Sequence, residues 1–144
     1  GLSPLLGAEG LGSFRYGDGS STPWTLRGHE GIIDVPDLRS APVAVVTSGR
    51  TASSGEAVAV AFRGRPLTRS FGAPTSGYST SNTTYKLADG SRLYLTTAVF
   101  EDRNGNRYGS KLVPDHVTQG VGAEASFGAA GDWLDACLRG ECHE

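Results

Sequence analysis

Apolar residues follow no period over positions 1–40 and a clear one from Pro42 onward. In the first stretch Gly7, Gly10, Gly12, Gly17, Gly19, Gly28 and Gly31 interrupt any repeat, and Pro23 and Pro36 add further breaks. Short strands are expected at Leu11–Tyr16 and Trp24–Leu26, within a segment that reads as irregular and peripheral. Val43-Ala44-Val45-Val46 is a continuous run rich in β-branched residues, the signature of a strand buried on both faces. From Ser53 the spacing becomes helical through Ala57, Val58, Val60, Ala61 and Phe62, and Gly64 and Pro66 end it. The pattern predicts a helix of about three turns, directly after the strand.

Beyond it a strand is expected at Thr68–Phe71 and a turn at Gly72–Gly77. Thr83–Leu87 and Arg92–Phe100 alternate around Asp89-Gly90 and predict a hairpin, with Leu93 and Leu95 turned to the core or to a subunit contact. Asn104-Gly105 marks another turn, followed by a short strand and Pro114-Asp115. Asp132–Leu138 has helical character, with Trp133, Leu134 and Leu138 on one side. The order strand, helix, strand, hairpin, helix predicts a mixed α/β fold. Three parts are expected: a peripheral segment at 1–40, a core portion at 41–118, and a C-terminal helix and tail at 119–144.

Composition changes this picture little. The 144 residues suffice for one core, and 21 glycines suit short strands with many turns. A formal net charge of −2 gives no electrostatic reason for a nucleic-acid or membrane-surface partner. No apolar run approaches the ~20 residues of a membrane span. A chain that opens on Gly1 and holds no Met reads as processed or trimmed, and no signal peptide is visible. The compartment is left open. Cys137 and Cys142 admit a local disulfide, a metal site completed by His143, or two free thiols. Two cysteines and one histidine give at most three ligands without a recognised zinc spacing, so no metal is implied. His29, His116 and His143 read as exposed histidines.

The stretch with chemistry in it is Thr51-Ala52-Ser53-Ser54-Gly55-Glu56, between the strand and the helix. A serine there lies beside the unpaired N–H groups and positive dipole end of a helix, which can hold an oxyanion. Its hydroxyl is presented at the end of a strand, as a nucleophile requires. The same residues form a capping box, Ser53 as N-cap and Glu56 returning to its N–H. Both readings stand on local grounds.

Four stretches together resemble the C-terminal half of the tail-specific (C-terminal processing) serine protease family. They are Val43–Arg65, Gly72-Ala73-Pro74-Thr75-Ser76-Gly77, Leu87-Ala88-Asp89-Gly90-Ser91 and Val113-Pro114-Asp115. That broad family includes the tricorn core protease and interphotoreceptor retinoid-binding protein. The resemblance implies a ClpP/crotonase-like core of β-β-α units, here a partial domain lacking its N-terminal part. It places the nucleophile on Ser53 and an oxyanion donor on the N–H of Ser54, and sets Gly77 and Tyr78 beside the substrate. No cofactor is implied.

Departures from the family pattern bear on mechanism. Members with a Ser–Lys dyad carry the lysine directly after the G-x-P-T-x-G turn, where this chain has Tyr78; Lys86 and Lys111 match no motif. The tricorn-like branch draws a histidine from an N-terminal segment and an acid from just before the final Pro-Asp, where Tyr108 and Gly109 stand here. Asp37-Leu38-Arg39-Ser40 echoes the family's D-L-R-x-N-x-G-G segment without its glycines. The expected function is therefore the C-terminal catalytic portion of a serine endopeptidase acting on polypeptides. A missing N-terminal part or a second chain would supply the base, and the chain alone would be inactive. The rivals are a binding domain that kept the fold and an assembly fragment that completes another subunit, as in a homo-oligomer.

Overall fold

A computed structural model describes residues 2–26, 36–118 and 123–142. Its elements are α1 (Ser3–Leu6), β1 (Ser13–Tyr16), β2 (Ser21–Pro23), β3 (Val43–Thr47), α2 (Ser54–Phe62), β4 (Thr68–Gly72), β5 (Thr80–Lys86), β6 (Arg92–Glu101), β7 (His116–Val117) and α3 (Ala123–Leu138). They form a mixed α/β arrangement with two sheets. One is antiparallel in the order β2-β1-β6-β5, the other parallel in the order β3-β4-β7.

The β-branched run at Val43 becomes β3, paired in parallel with β4 from Val43↔Thr68 to Thr47↔Gly72. Both faces were expected to be buried, yet Val43–Val46 are half-buried and only Thr47 is fully so. The reason is position: among the described residues β3 is an edge of its sheet. Val45 packs towards α2, and α3 lies against β3 and β4. Gly72 has to be glycine, because φ is +116° and a Cβ would meet the Thr47 carbonyl oxygen at 2.1 Å.

The opening residues differ from the expected peripheral segment. Leu6 and Leu11 are buried with Ala61 and Phe62, and β1 pairs with β6 from Ser13↔Glu101 to Tyr16↔Ala98. The second early strand is Ser21–Pro23 rather than Trp24–Leu26, at a sheet edge where proline's missing N–H costs nothing. Trp24 is used for packing instead. Its ring meets Phe14 and Phe100 edge-on at centroid distances of 5.4 and 5.2 Å. Contacts of this kind add about 0.5–1.5 kcal/mol each beyond area burial.

The hairpin pairs as its alternation predicts, Tyr85↔Leu93 and Lys86↔Arg92, with Leu87 accepting the Gly90 N–H at 3.0 Å in the turn. No strand forms between Gly105 and Pro114 apart from a single bridge of Glu101 with Arg107; the short strand follows Asp115 instead, as β7. α3 begins nine residues before Asp132, because Gly128 and Gly131 hide its first turns from a propensity reading. Cys137 and Cys142 are joined in a disulfide that closes the end of α3, which excludes the free-thiol alternative.

Candidate active site

β3 ends at Thr47, and five loop residues lead to Ser53 at the head of α2. Ser53 is exposed and has φ 52° and ψ −114°, a conformation that an L-residue adopts only under strain. Strain in a serine at a strand-to-helix turn is the geometry of a nucleophile elbow. The helix that follows is nine residues long, slightly shorter than expected.

The capping-box pairing of Ser53 with Glu56 is present, but its firm half is the returning one. The Ser53 N–H donates to Glu56 Oε2 at 2.8 Å, whereas the Ser53 hydroxyl makes no cap hydrogen bond of ordinary geometry. The Ser53 hydroxyl thus faces the start of the helix without a hydrogen bond of ordinary geometry to it. Ser54 opens the helix, and its N–H has no acceptor among the described residues. That N–H sits at the positive end of the helix dipole.

Glu56 does more than cap. It is fully buried, and its carboxylate is the junction of two turns. Oε2 accepts the N–H groups of Ser53 and Tyr78, both at 2.8 Å; Oε1 accepts the Gly77 N–H at 2.9 Å and the Thr75 hydroxyl. Four donors on two oxygens compensate the burial of the charge. Because Ser53 and Tyr78 share one oxygen, their nitrogens lie no farther apart than two such bonds. Further links lock the turns together: the Ser76 N–H donates to the Thr51 carbonyl at 2.9 Å and the Ser76 hydroxyl to the Gly49 carbonyl at 2.8 Å. The Thr47 hydroxyl donates to the Ala73 carbonyl at 2.9 Å. The structure thus brings together Ser53, Ser54, Gly77 and Tyr78. The role of Glu56 as the junction was missed in the sequence because four partners at one carboxylate are a tertiary event.

Gly77 has φ +97°, and a Cβ there would meet Lys111 Cγ at 3.1 Å, so the stem of Lys111 runs alongside this turn. Tyr78 is 65% exposed and its ring projects to solvent. Among the described residues no histidine or lysine is hydrogen-bonded to Ser53. His116 is exposed and lies against Phe71, with ring centroids 5.7 Å apart; His29 and His143 fall outside the described residues.

Tyr108 belongs to another site: its hydroxyl donates to Asp102 at 2.7 Å, and burial followed by the Asp102 contact raises its pKa. Asp115 is equally occupied. Burial opposes its ionisation, but the Ser70 N–H and hydroxyl and the Arg63 guanidinium outweigh that and hold its carboxyl below the usual range. A cavity of about 530 Å³ lies beside Asp115 at the other end of α2, lined by Phe62, Arg63, Leu67, Asp115 and Trp133 among others.

Residues 13–118 match the family model of peptidase family S41. The chain belongs to that family. A nisin-resistance protein of Lactococcus lactis subsp. lactis is 37% identical over 136 residues, which is 87% of this chain and 42% of that protein. A lipoprotein of Streptococcus agalactiae superposes with a TM-score of 0.74 at 31% identity, covering 94% of this chain and 48% of the other. The photosystem II D1 C-terminal processing protease shares the fold, with a TM-score of 0.67 at 20% identity over 92% of this chain and 33% of its own. The S41 chain described here therefore spans less than half the length of these relatives. The family is one of serine peptidases, and the match agrees with the family resemblance drawn from the sequence.

Proposed function

We propose that this chain is the nucleophile-carrying portion of a serine endopeptidase that hydrolyses peptide bonds through an acyl-enzyme on Ser53. The observation that carries the reading is Ser53 itself, exposed and held at φ 52° at the turn from β3 into α2. The Ser53 oxygen attacks the peptide carbonyl, the Ser54 N–H donates to the oxyanion, and the amine leaves with the proton the base took from Ser53. Water then releases the acyl group by the same route. Gly77 and Tyr78 border the substrate, since Glu56 holds their N–H groups beside the elbow. The base comes from a part of the protein outside the described residues or from a second chain, a histidine being the residue suited to it. A ClpP/crotonase-like core of β-β-α units is the architecture that fits this reading. The Lactococcus relative's name makes nisin one polypeptide to assay. Tyr78 at the lysine position of the dyad members favours a second reading, a binding or assembly domain that kept the elbow.

Labelling by a fluorophosphonate probe tests the proposal. The isolated chain is expected to label slowly or not at all, because general-base assistance is worth roughly 10²–10⁴-fold. A longer form that supplies the base is expected to label, and Ser53→Ala to abolish that signal. Rapid labelling of the isolated chain, lost in Ser53→Ala, would overturn the missing-base part and point to Lys111, whose stem borders Gly77. Absence of labelling in every form would favour the binding domain.

A further inference from the structure

The β5–β6 hairpin and its turn carry several exposed large apolar side chains. Tyr85, Leu87, Leu93 and Leu95 are 46, 46, 42 and 45% exposed. Their common orientation follows from register. Residues directly opposite in an antiparallel pair share a face, and positions along a strand alternate. Ser81 opposes Ala98, Thr83 opposes Leu95, and Tyr85 opposes Leu93, so all six lie on one face. β6 could not achieve this by alternation alone. The irregularity between Ser81 and Asn82, where one step on β5 spans two on β6, inserts Thr97 as an extra residue and turns Leu93 and Leu95 to the side of Ala98. The Thr97 hydroxyl is 2.8 Å from that of Thr83 on the same side.

Ala98 and Phe100 are buried, and Phe100 packs with Ala59 and Val60 of α2. The apolar face is thus the core face of the sheet, continued past the end of the core. Its direction places it at the candidate site. β5 begins two residues after Tyr78, whose N–H is held by Glu56 in the first turn of α2. Beyond that point the hairpin leads on from Ala98 and Val99, its apolar side continuing the face by which Phe100 packs on Ala59 and Val60 of α2. Among the described residues β5 is also an edge of its sheet, leaving half of its N–H and C=O groups for another strand.

We infer that the inner face and free edge of this hairpin form one wall of the substrate cleft, and that its occupant is an extended peptide with apolar side chains. The peptide adds alongside β5 and lays alternate side chains against Tyr85, Leu93 and Leu95 while its backbone reaches Ser53 past Tyr78. The inference rests on the peptidase reading for the identity of the site. The strand edge, free among the described residues and starting two residues after Tyr78, favours a peptide over a second copy of the chain.

The test uses the Ser53→Ala form of the whole chain and a fluorescein-labelled decapeptide of alternating leucine and threonine, with an asparagine-for-leucine version as control, read by anisotropy. Leu93→Ser with Leu95→Ser is expected to weaken binding of the leucine peptide about tenfold or more, the scale of two lost half-buried leucine contacts. Arg92→Ser with Tyr94→Ser, on the opposite face, is expected to change it less than about twofold. Unchanged binding in the leucine double variant overturns the inference, as does failure of the parent to prefer the leucine peptide. So does a parent dimer that the leucine substitutions convert to monomer with peptide affinity intact. Fluorophosphonate labelling in a longer form separates the two ideas. Labelling without hairpin-dependent binding retains the peptidase and removes the wall; hairpin-dependent binding without labelling removes the peptidase and retains the wall.

Discussion

Ser53 holds its backbone at φ 52° and ψ −114° without the glycine that such a conformation usually calls for. Conformations of this kind cost about 1–3 kcal/mol and persist where the surroundings enforce them. Here the enforcing groups are Glu56, which takes the Ser53 N–H, and the zipper of Ser76 to Thr51 and Gly49. Because both variants lack the hydroxyl, comparing Ser53→Gly with Ser53→Ala isolates the strain of a Cβ at this position. The glycine variant is expected to be more stable than the alanine variant by about 1 kcal/mol in urea unfolding. Equal midpoints would mean that no strain is stored in the elbow. The motif Thr51–Glu56 was legible as a turn with chemistry, but the choice between cap and nucleophile was not. A capping box and an elbow use the same residues, and here the capping pair and the strained Ser53 backbone occur together.

Between elements, the buried carboxylate of Glu101 fastens β1 to β6. It accepts from the Ser13 hydroxyl at 3.2 Å, from Arg15 Nε at 2.9 Å and Nη2 at 2.8 Å, and from Arg107 Nε at 3.1 Å. The Arg15 hydrogen bonds, which outweigh burial, lower its pKa to about 2. Its stabilising contribution is complete above the unfolded glutamate range of roughly 4–4.5 and is lost as pH falls towards 2. The gap in urea midpoint between the native chain and Glu101→Gln is therefore expected to be constant near neutrality and to narrow between about pH 4.5 and pH 2. A gap independent of pH over that window would show that Glu101 acts by shape alone. None of this was visible in the sequence, since Glu101 is 88 residues from Ser13. The Asp89-Gly90 hairpin was visible, because register there is set by a local turn and by alternation. Leu93 and Leu95 lie on the core side of the sheet as expected, but the bulge at Thr97 that puts them there was not visible.

For the whole molecule, Arg65 ties the opening residues to the parallel sheet. It is 5% exposed, and its guanidinium donates to the carbonyls of Leu5, Leu38, Arg39 and Ala41 and to the Thr68 hydroxyl. Burial, then the neighbouring Arg103 charge, lowers its pKa. Arg65→Met keeps much of the stem but leaves those carbonyls without a donor. It is expected to cost about 3 kcal/mol in urea unfolding and to speed proteolysis around residues 38–41. A loss under about 1 kcal/mol would show that water replaces the guanidinium without penalty.

Patterns of short range were readable from the chain alone. The β-branched run of β3, the helical spacing after Ser53, the Asp89-Gly90 turn and the four family motifs each depend on neighbours a few residues away. What required the folded molecule was every relation across long separations. Leu6 and Leu11 enter the core because α2 arrives to cover them, and Glu56 gathers Ser53, Thr75, Gly77 and Tyr78 because β4 lies beside β3. Local propensity is encoded in consecutive residues, whereas a buried carboxylate selects its partners by where the strands bring them.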